Sequence, residues 1–281
     1  MRDLIRRAAV AAGATALMLG ASAGAAAAST SAPASHLYWA NNQAGTIVEA
    51  NLNGTSAHII ASGQHGPRGV AVGASHLYWA DEAAGTIVEA NLNGTSAHVI
   101  ASGQGSPFGV AVGASHLYWA DEAAGTIVEA NLNGTSAKTI ASGQAQPLGV
   151  AVNASHLYWA DLNAGTIVEA NLNGTSATTV ASGQLFPAGV AVDASHLYWG
   201  NQGTVTNPGT IVEANLDGTG AKTIASGKGS PYGVAVNASH LYWANQITST
   251  NGTIHEANLD GTSAKVIASR QNGPSGVAVG P

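Results

Sequence analysis

The amino-acid sequence predicts an all-β protein, a six-bladed β-propeller of four-stranded antiparallel blades. Three observations predict it: a unit that recurs six times, four short strand-like runs in each unit, and an offset between the two ends of the repeat array. Leu-Tyr-Trp triplets mark the unit, and their tryptophans are spaced 40, 40, 40, 40 and 44 residues apart. These tryptophans are Trp39, Trp79, Trp119, Trp159, Trp199 and Trp243.

Each unit contains four runs rich in β-branched and aromatic residues, bounded by Gly, Asn, Ser or Pro and without helical periodicity. In the fourth unit the predicted strands are A (149–152), B (156–160), C (166–172) and D (177–181). Asn173-Gly174 is a strong hairpin signal between strands C and D. Strand A has the smallest side chains, as an innermost strand crowded around a channel requires. The Gly-His and Trp-Asp signatures of a WD repeat are missing.

The two ends of the array are out of phase. The array opens with a strand B at His36 and finishes with a strand A at 276–279. If the last strand pairs beside the first, six whole blades result and the ring is closed. Closure removes the sheet edges that would otherwise invite aggregation, so we predict that the C-terminal strand completes the N-terminal blade.

The N-terminal residues have the order of a secretory signal. Three arginines precede an apolar run (8–19), small residues follow, and cleavage is expected after Ala23 or Ala28. The apolar run is too short to span a membrane. The expected organisation is a signal peptide (1–28), a short leader (29–35) and the propeller (36–281). We therefore expect a secreted, extracytoplasmic protein.

The composition of the chain excludes several kinds of site and partner. With no cysteine, the chain has no lipoprotein anchor, disulfide framework or thiolate metal site. Its formal net charge is −6, and removal of the signal peptide leaves 6 basic and 14 acidic groups. A net-acidic surface argues against nucleic acid or anionic lipid as a partner. We expect no nucleic acid, no membrane insertion and a monomer.

The repeat also resembles a known family. Leu-Tyr-Trp-Ala-Asp, followed by I-x-x-A-x-L-N/D-G and P-x-G-V-A-V, resembles the YWTD repeat, the low-density lipoprotein receptor class B repeat, across residues 36–281. The resemblance implies a six-bladed propeller with the triplet on the second strand. Ala replaces the motif's Thr, with Gly200 in the fifth copy, and no EGF-like modules flank the repeats, so the receptor's partners are not implied. The motif's acidic position is Asp in three copies and Asn in three: Asp81, Asp121 and Asp161; Asn41, Asn201 and Asn245.

Residues that recur in every unit are expected to have a structural role and not a catalytic one. His76 and Glu89 have counterparts in all six units, whereas a catalytic group is needed once. We expect each histidine to be buried and hydrogen-bonded to the glutamate of a neighbouring strand. The tryptophans are expected to pack between blades.

Residues that vary lie in the D–A and B–C connections, which share one face of a propeller. Variation confined to one face is typical of a scaffold that carries a binding site, and unconstrained loop drift is the alternative. The B–C loops of units five and six are also longer, within 202–208 and 246–251. The predicted ligand-binding residues are His65, Arg68, Phe108, Leu148, Phe186, Tyr232, Asp81, Glu82, Asp121 and Glu122.

A protein or peptide is the predicted ligand, with a glycan as the alternative partner. The rival function is a secreted metal-dependent hydrolase or lyase, similar to gluconolactonase-like propellers that hold calcium at the channel mouth. The positions beside the channel offer no such cage, and we expect no catalytic residue, metal or cofactor.

A structural surface component without a ligand is a third hypothesis. At the opposite mouth, three side chains either ring an ion or form Asx turns: Asn153, Asp193 and Asn237.

Overall fold

The fold is known from a computed structural model, which describes residues 35–227, 229–248 and 250–281. The predicted signal peptide (1–28) and leader up to residue 34 lie outside the described residues. The described residues form twenty-four β-strands arranged as six four-stranded antiparallel sheets, the blades. Among them no helix is long and apolar enough to cross a membrane.

Each blade runs from an innermost strand, A, to an outermost strand, D. Blade 1 consists of β24 (Pro274–Gly280), β1 (His36–Asn41), β2 (Thr46–Asn51) and β3 (His58–Ala61). Blade 2 consists of β4 (Pro67–Val72), β5 (His76–Asp81), β6 (Thr86–Asn91) and β7 (His98–Ala101). Blade 3 consists of β8 (Pro107–Val112), β9 (His116–Asp121), β10 (Thr126–Asn131) and β11 (Lys138–Ser142).

The remaining blades follow the same plan. Blade 4 consists of β12 (Pro147–Val152), β13 (His156–Asp161), β14 (Thr166–Asn171) and β15 (Thr178–Ala181). Blade 5 consists of β16 (Pro187–Val192), β17 (His196–Asn201), β18 (Thr210–Asn215) and β19 (Lys222–Ser226). Blade 6 consists of β20 (Ser230–Val236), β21 (His240–Thr248), β22 (Asn251–Asn258) and β23 (Lys265–Gln271).

The predicted closure of the ring is confirmed. The last strand, β24, pairs antiparallel with the first, β1, with Leu37 opposite Val279 and Trp39 opposite Val277. The backbone N–H of Ser35 donates to the carbonyl of Gly280 at 2.8 Å. The two ends of the described chain therefore meet where every other blade has its A–B turn.

A ring of glycines explains why the inner strands carry such small side chains. A Cβ added to Gly149 would lie 2.2 Å from the carbonyl oxygen of Ala188 on the next inner strand, and the other five positions are equally tight. Backbone thus contacts backbone around the whole channel, which only glycine permits. The six glycines are Gly69, Gly109, Gly149, Gly189, Gly233 and Gly276.

The tryptophans fill the spaces between blades, as predicted. Trp79 is fully buried, and its indole N–H donates to the Gln64 side chain at 2.9 Å, across the boundary between blades 1 and 2. Sequence reasoning missed this glutamine, although it recurs at the start of five D–A loops. The five tryptophan–glutamine pairs are Trp39–Gln271, Trp79–Gln64, Trp119–Gln104, Trp159–Gln144 and Trp199–Gln184.

The repeated histidines are not buried, so that part of the prediction is wrong. Each begins a strand B, where the sheet meets solvent at the A–B turn, and its side chain is 37–43% exposed. A ring nitrogen of each histidine lies 3.5–3.8 Å from the glutamate of strand C, so the predicted neighbour is present but the predicted hydrogen bond is not formed. The Nδ1 atom of each histidine lies instead 2.8–3.0 Å from the hydroxyl of the preceding serine. In three blades that glutamate also accepts a hydrogen bond from the buried tyrosine of the triplet.

Candidate binding face

The variable face is the surface formed by the D–A and B–C loops. The residue after each inner-strand proline surrounds the channel mouth on this face, and the six differ from one another: Arg68, Phe108, Leu148, Ala188, Tyr232 and Ser275. The space that Arg68, Phe108, Tyr232 and Ser275 enclose together with the glycines and valines of the inner strands has a volume of about 50 Å³. A space of this size holds a few water molecules, so a larger ligand would have to contact the mouth and the loops around it.

Aromatic and aliphatic side chains close the mouth. Phe108 and Tyr232 come from opposite blades, and their rings stack with centroids 6.4 Å apart and planes inclined by 22°. Phe108, Leu148 and Ala188 are buried in one cluster, against which Tyr232 packs at its edge. Ser275 donates its hydroxyl to the carbonyl of Arg68 at 3.0 Å. Of the predicted apolar contacts at the mouth, Tyr232 is therefore accessible, whereas Phe108 and Leu148 lie beneath the surface.

A chain of polar contacts borders the mouth over blades 2 and 3. Arg68 forms an ion pair with Glu82 (Nε–Oε2 2.6 Å), and its guanidinium carbon lies 5.0 Å from the centre of the Phe108 ring. Ser106 lies between two glutamates, 3.4 Å from Glu82 and 3.5 Å from Glu122. Arg68, Glu82 and Glu122 thus form a polar arc with one more negative than positive charge.

Exposed apolar side chains lie on the other half of the face. Leu185 and Phe186, at the D–A loop entering blade 5, are 44% and 43% exposed. Val205, in the long B–C loop of blade 5, and Ile247, near the end of β21 in blade 6, are also exposed. Sequence reasoning included only Phe186 of these four, because the others are inconspicuous in variable loops. We call these four residues the apolar arc.

Phe186 also has an unusual backbone. Its φ is +56°, in the left-handed region that a bulky residue rarely adopts, while Gly66 and Gly273 occupy the same loop position elsewhere in the ring. The neighbouring B–C loop fixes it there, because the N–H of Gln202 donates to the Phe186 carbonyl at 3.0 Å. Gln146, at the same position of the loop entering blade 4, also has a positive φ (+64°), so the conformation belongs to this loop position and not to Phe186 alone.

The predicted aspartates lie inside the face rather than on it. Asp121 is buried and accepts backbone N–H groups from Gly105 (2.6 Å), Ser106 (2.9 Å) and Ala124 (3.1 Å). Asp81 is also buried and accepts a long bond of 3.4 Å from the N–H of His65, whose side chain is exposed. The aspartates hold the D–A loops, and the glutamates beside them are the accessible carboxylates.

Comparison with known proteins agrees with this architecture. No family model matches the chain, and no curated protein matches it. A chain in a crystal structure of a nidogen/laminin complex is similar, with a TM-score of 0.77 and 24% identity over 88% of this chain and 98% of that chain. The chain is a six-bladed β-propeller. The fold implied by the YWTD resemblance is therefore confirmed.

The opposite mouth of the propeller carries Asx turns. Asn153 accepts from the N–H groups of Ser155 (3.0 Å) and His156 (2.8 Å) through one side-chain oxygen. Asp193 and Asn237 make the same pair of bonds in the next two blades. These contacts account for the three side chains as turn residues. Within residues 35–281, leaving out 228 and 249, no group of three His, Cys, Asp or Glu side chains could hold a metal ion.

One buried aspartate should make the stability of the propeller depend on pH. Burial raises the pKa of Asp161 to about 6, and its Oδ1 has no hydrogen-bond partner among the described residues. Because the unfolded carboxyl titrates near pH 4, the folded state binds the proton more tightly, and the free energy of unfolding falls as pH rises from about 4 to about 6. Asp161→Asn is expected to remove this loss and to raise the free energy of unfolding at pH 7 by up to about 3 kcal/mol.

Urea unfolding of Asp161→Asn and of the unmutated chain at pH 4 and pH 7 measures this effect. Asp121→Asn is the matched control, and it should lose stability, because both carboxylate oxygens of Asp121 already accept backbone N–H groups. Asparagine already occupies the same position in three blades, at Asn41, Asn201 and Asn245. An unchanged difference between pH 4 and pH 7 in Asp161→Asn would contradict the assignment.

Proposed function

We propose that this propeller is an exported interaction module that binds a protein or peptide on the variable face. One observation carries the proposal. Six nearly identical repeats differ chiefly in the loops of one face, and there the differences place a polar arc opposite an apolar arc. A surface with exposed apolar area beside ordered charges suits a protein partner, because such interfaces combine an apolar centre with a polar rim.

The structure refines which predicted residues would touch the partner. Tyr232 and Phe186 offer accessible aromatic surface, and Leu185, Val205 and Ile247 extend it. Arg68, Glu82 and Glu122 would orient a polar partner, with His65 at the edge of the same face. Phe108 and Leu148 support Tyr232 from below, and Asp81 and Asp121 fix the loops that display the glutamates. With two glutamates against one arginine, the polar arc favours a partner segment with a basic side chain next to apolar ones.

Two further observations support this assignment. The similar chain of known structure belongs to a nidogen/laminin complex, so the same fold takes part in a protein–protein assembly there. The order of arginines, apolar run and small residues in 1–28 favours export, which would place the face where extracellular partners are available.

The proposal predicts that capture of a partner depends on the apolar arc. The immobilised protein is used to capture proteins from the culture medium of its source organism, and the double variant Leu185→Ser, Phe186→Gly is compared with it. Glycine relieves the positive φ of Phe186, so this variant should stay folded. We expect about tenfold or greater loss of the captured protein, since central apolar contacts dominate interface energies.

The control removes equally exposed apolar side chains from outside the face. Ile59 and Val99, on the outermost strands of blades 1 and 2, are 59% and 54% exposed, and both are changed to serine. This variant should capture the partner as well as the unmutated protein does. Equal loss in both variants, or no captured protein with the unmutated chain, would contradict the proposal.

A further inference from the structure

Eight of the ten histidines border the face opposite the variable face, which is formed by the A–B and C–D turns. We call it the turn face. Six of the eight begin strands B, and His58 and His98 begin the outermost strands β3 and β7. The other two histidines, His65 and His255, lie elsewhere. An imidazole gains its positive charge between about pH 8 and pH 5, so acidification changes the charge of the turn face more than that of any other surface.

The histidines belong to rows that cross strands B, C and D of a blade. In blade 1 the row is His36, Glu49 and His58, and Nε2 of the two histidines lies 3.7 and 3.5 Å from the two carboxylate oxygens. The first residue of strand D is histidine in blades 1 and 2, lysine in blades 3, 5 and 6, and threonine in blade 4. Five of the six rows therefore place two basic side chains around one carboxylate.

The basic groups of these rows are more exposed than the acidic groups. The outer histidines and lysines are 60–61% exposed, and the histidines of strand B are 37–43% exposed. The glutamates are only 9–23% exposed. A large ligand that approaches the turn face therefore meets the bases before the carboxylates.

The outer histidines of blades 1 and 2 have acceptors on both sides of the ring. Nδ1 of His58 lies 3.1 Å from the Ser56 carbonyl oxygen, and Nε2 lies 3.5 Å from Glu49. His98 has the same neighbours in blade 2, at 3.1 and 3.6 Å. A neutral imidazole has one N–H group, whereas the protonated ring donates from both nitrogens. These two positions are therefore arranged to accommodate the charged form.

Acidification reverses the charge of the turn face over blades 1 to 3. With neutral imidazoles, one lysine stands against three glutamates, a net charge of −2; with protonated imidazoles, six bases stand against three glutamates, a net charge of +3. The A–B and C–D turns of these blades contain no acidic residue that would offset the change. The bases are His36, His58, His76, His98, His116 and Lys138, and the acids are Glu49, Glu89 and Glu129.

Blades 4 to 6 do not share this reversal. Blade 4 has threonine in place of the outer base, and blades 5 and 6 carry Asp193, Asp217 and Asp260 in their turns. Asp193 lies 3.9 Å from Nδ1 of His196, and Asp260 interacts with Lys222 across the boundary between the two blades. The positive charge that develops on acidification is therefore concentrated on blades 1 to 3.

We propose that below about pH 6 the turn face of blades 1 to 3 binds a polysaccharide that carries sulfate groups. Sulfate stays ionised at that pH, so its charge complements the protonated rows. The turns expose side-chain amides and hydroxyls, such as Asn53 and Thr55, that can bind sugar hydroxyls. The tyrosines and tryptophans of the triplets are buried, so they offer no surface on which nucleic-acid bases could stack. The turn face is opposite the variable face, so this activity is independent of the proposed function.

Fluorescence polarisation with a labelled heparin fragment tests the proposal at pH 5 and pH 7.5 in low salt. We expect at least about tenfold tighter binding at pH 5, because the change from −2 to +3 replaces repulsion by attraction. Added salt should weaken the binding, since the contacts are electrostatic and exposed. Circular dichroism at both pH values confirms that the propeller stays folded.

Two substitutions found in other blades separate charge from structure. His58→Thr, His98→Thr gives blades 1 and 2 the residue of blade 4, and it should weaken heparin binding at pH 5 about tenfold. His58→Lys, His98→Lys gives them the residue of blades 3, 5 and 6. It should keep the affinity at pH 5 and raise that at pH 7.5, which loss of a merely structural contact would not do.

The matched control is His65→Thr, which removes one exposed histidine from the variable face and should leave heparin binding unchanged. His98→Thr alone also removes one histidine, and it should weaken the binding. Equal affinity of the unmutated chain at both pH values, or equal weakening by His65→Thr and His98→Thr, would overturn the proposal. So would tighter binding at pH 5 to single-stranded DNA or to phosphatidylglycerol vesicles than to heparin.

Discussion

Deletion of the closing strand, residues 274–281, is expected to abolish the cooperative unfolding transition of the propeller. The deletion removes β24 and leaves blade 1 with three strands, so that Leu37 and Trp39 lose their pairing partners. It also removes Gly276, whose backbone meets Arg68 of blade 2 and completes the ring of inner strands. Because each blade is stabilised mainly by its neighbours, an open ring exposes two apolar blade faces as well as a strand edge.

The measurement is thermal unfolding followed by circular dichroism, together with gel filtration. The unmutated chain should unfold in one sharp transition and elute as a compact species. The truncated chain should show a broad, low-temperature transition and self-associate through the open edge of β1.

A circular permutant is the matched control, because it keeps every residue of the described chain. Joining Pro281 directly to Ser35 creates the run Val-Gly-Pro-Ser-His, the same length as the Val-Gly-Ala-Ser-His of the A–B turn in blade 2. The N–H of Ser35 already lies 2.8 Å from the Gly280 carbonyl, so the joint needs little movement. Placing residues 274–281 before Ser35 should restore the transition. A truncated chain that unfolds like the intact one would show that closure adds little.

The sequence predicted the ring because the repeat supplies six copies of the same information. A single 40-residue unit with four strand runs leaves the architecture open, but the offset between His36 and the last Gly-Val-Ala-Val run requires β1 and β24 to pair. The tryptophans were predictable for the same reason, since a large buried ring needed in every blade is needed between blades.

The candidate binding face was only partly predictable. Comparison of repeats reveals which positions vary, but burial depends on partners far away in the chain. Phe108 is buried because Tyr232 stacks on it from the opposite blade, 124 positions later in the sequence. Similarly, Asp121 ends β9 and its carboxylate accepts backbone N–H groups of the loops, whereas Glu122, one position later, begins the B–C turn and is only partly buried.

Gly149→Ala is expected to destabilise the propeller strongly, by roughly 3 kcal/mol. The added Cβ would lie 2.2 Å from the Ala188 carbonyl oxygen and 2.7 Å from the Val190 nitrogen. Both atoms belong to the backbone of the neighbouring inner strand, so no side-chain rotation relieves the contact. Either blades 4 and 5 separate or the ring distorts, and the tight packing of the interior makes both costly.

Gly227→Ala is the matched control for this substitution. A Cβ at Gly227 would meet no atom within 4 Å, and its φ lies outside the left-handed region. Its free energy of unfolding should therefore change by no more than about 0.5 kcal/mol. Urea unfolding of both variants gives the comparison. Equal small effects would mean that the ring is loose enough at the channel to accept a methyl group, whereas a large effect of Gly149→Ala alone establishes that backbone contact between inner strands sets the radius of the propeller.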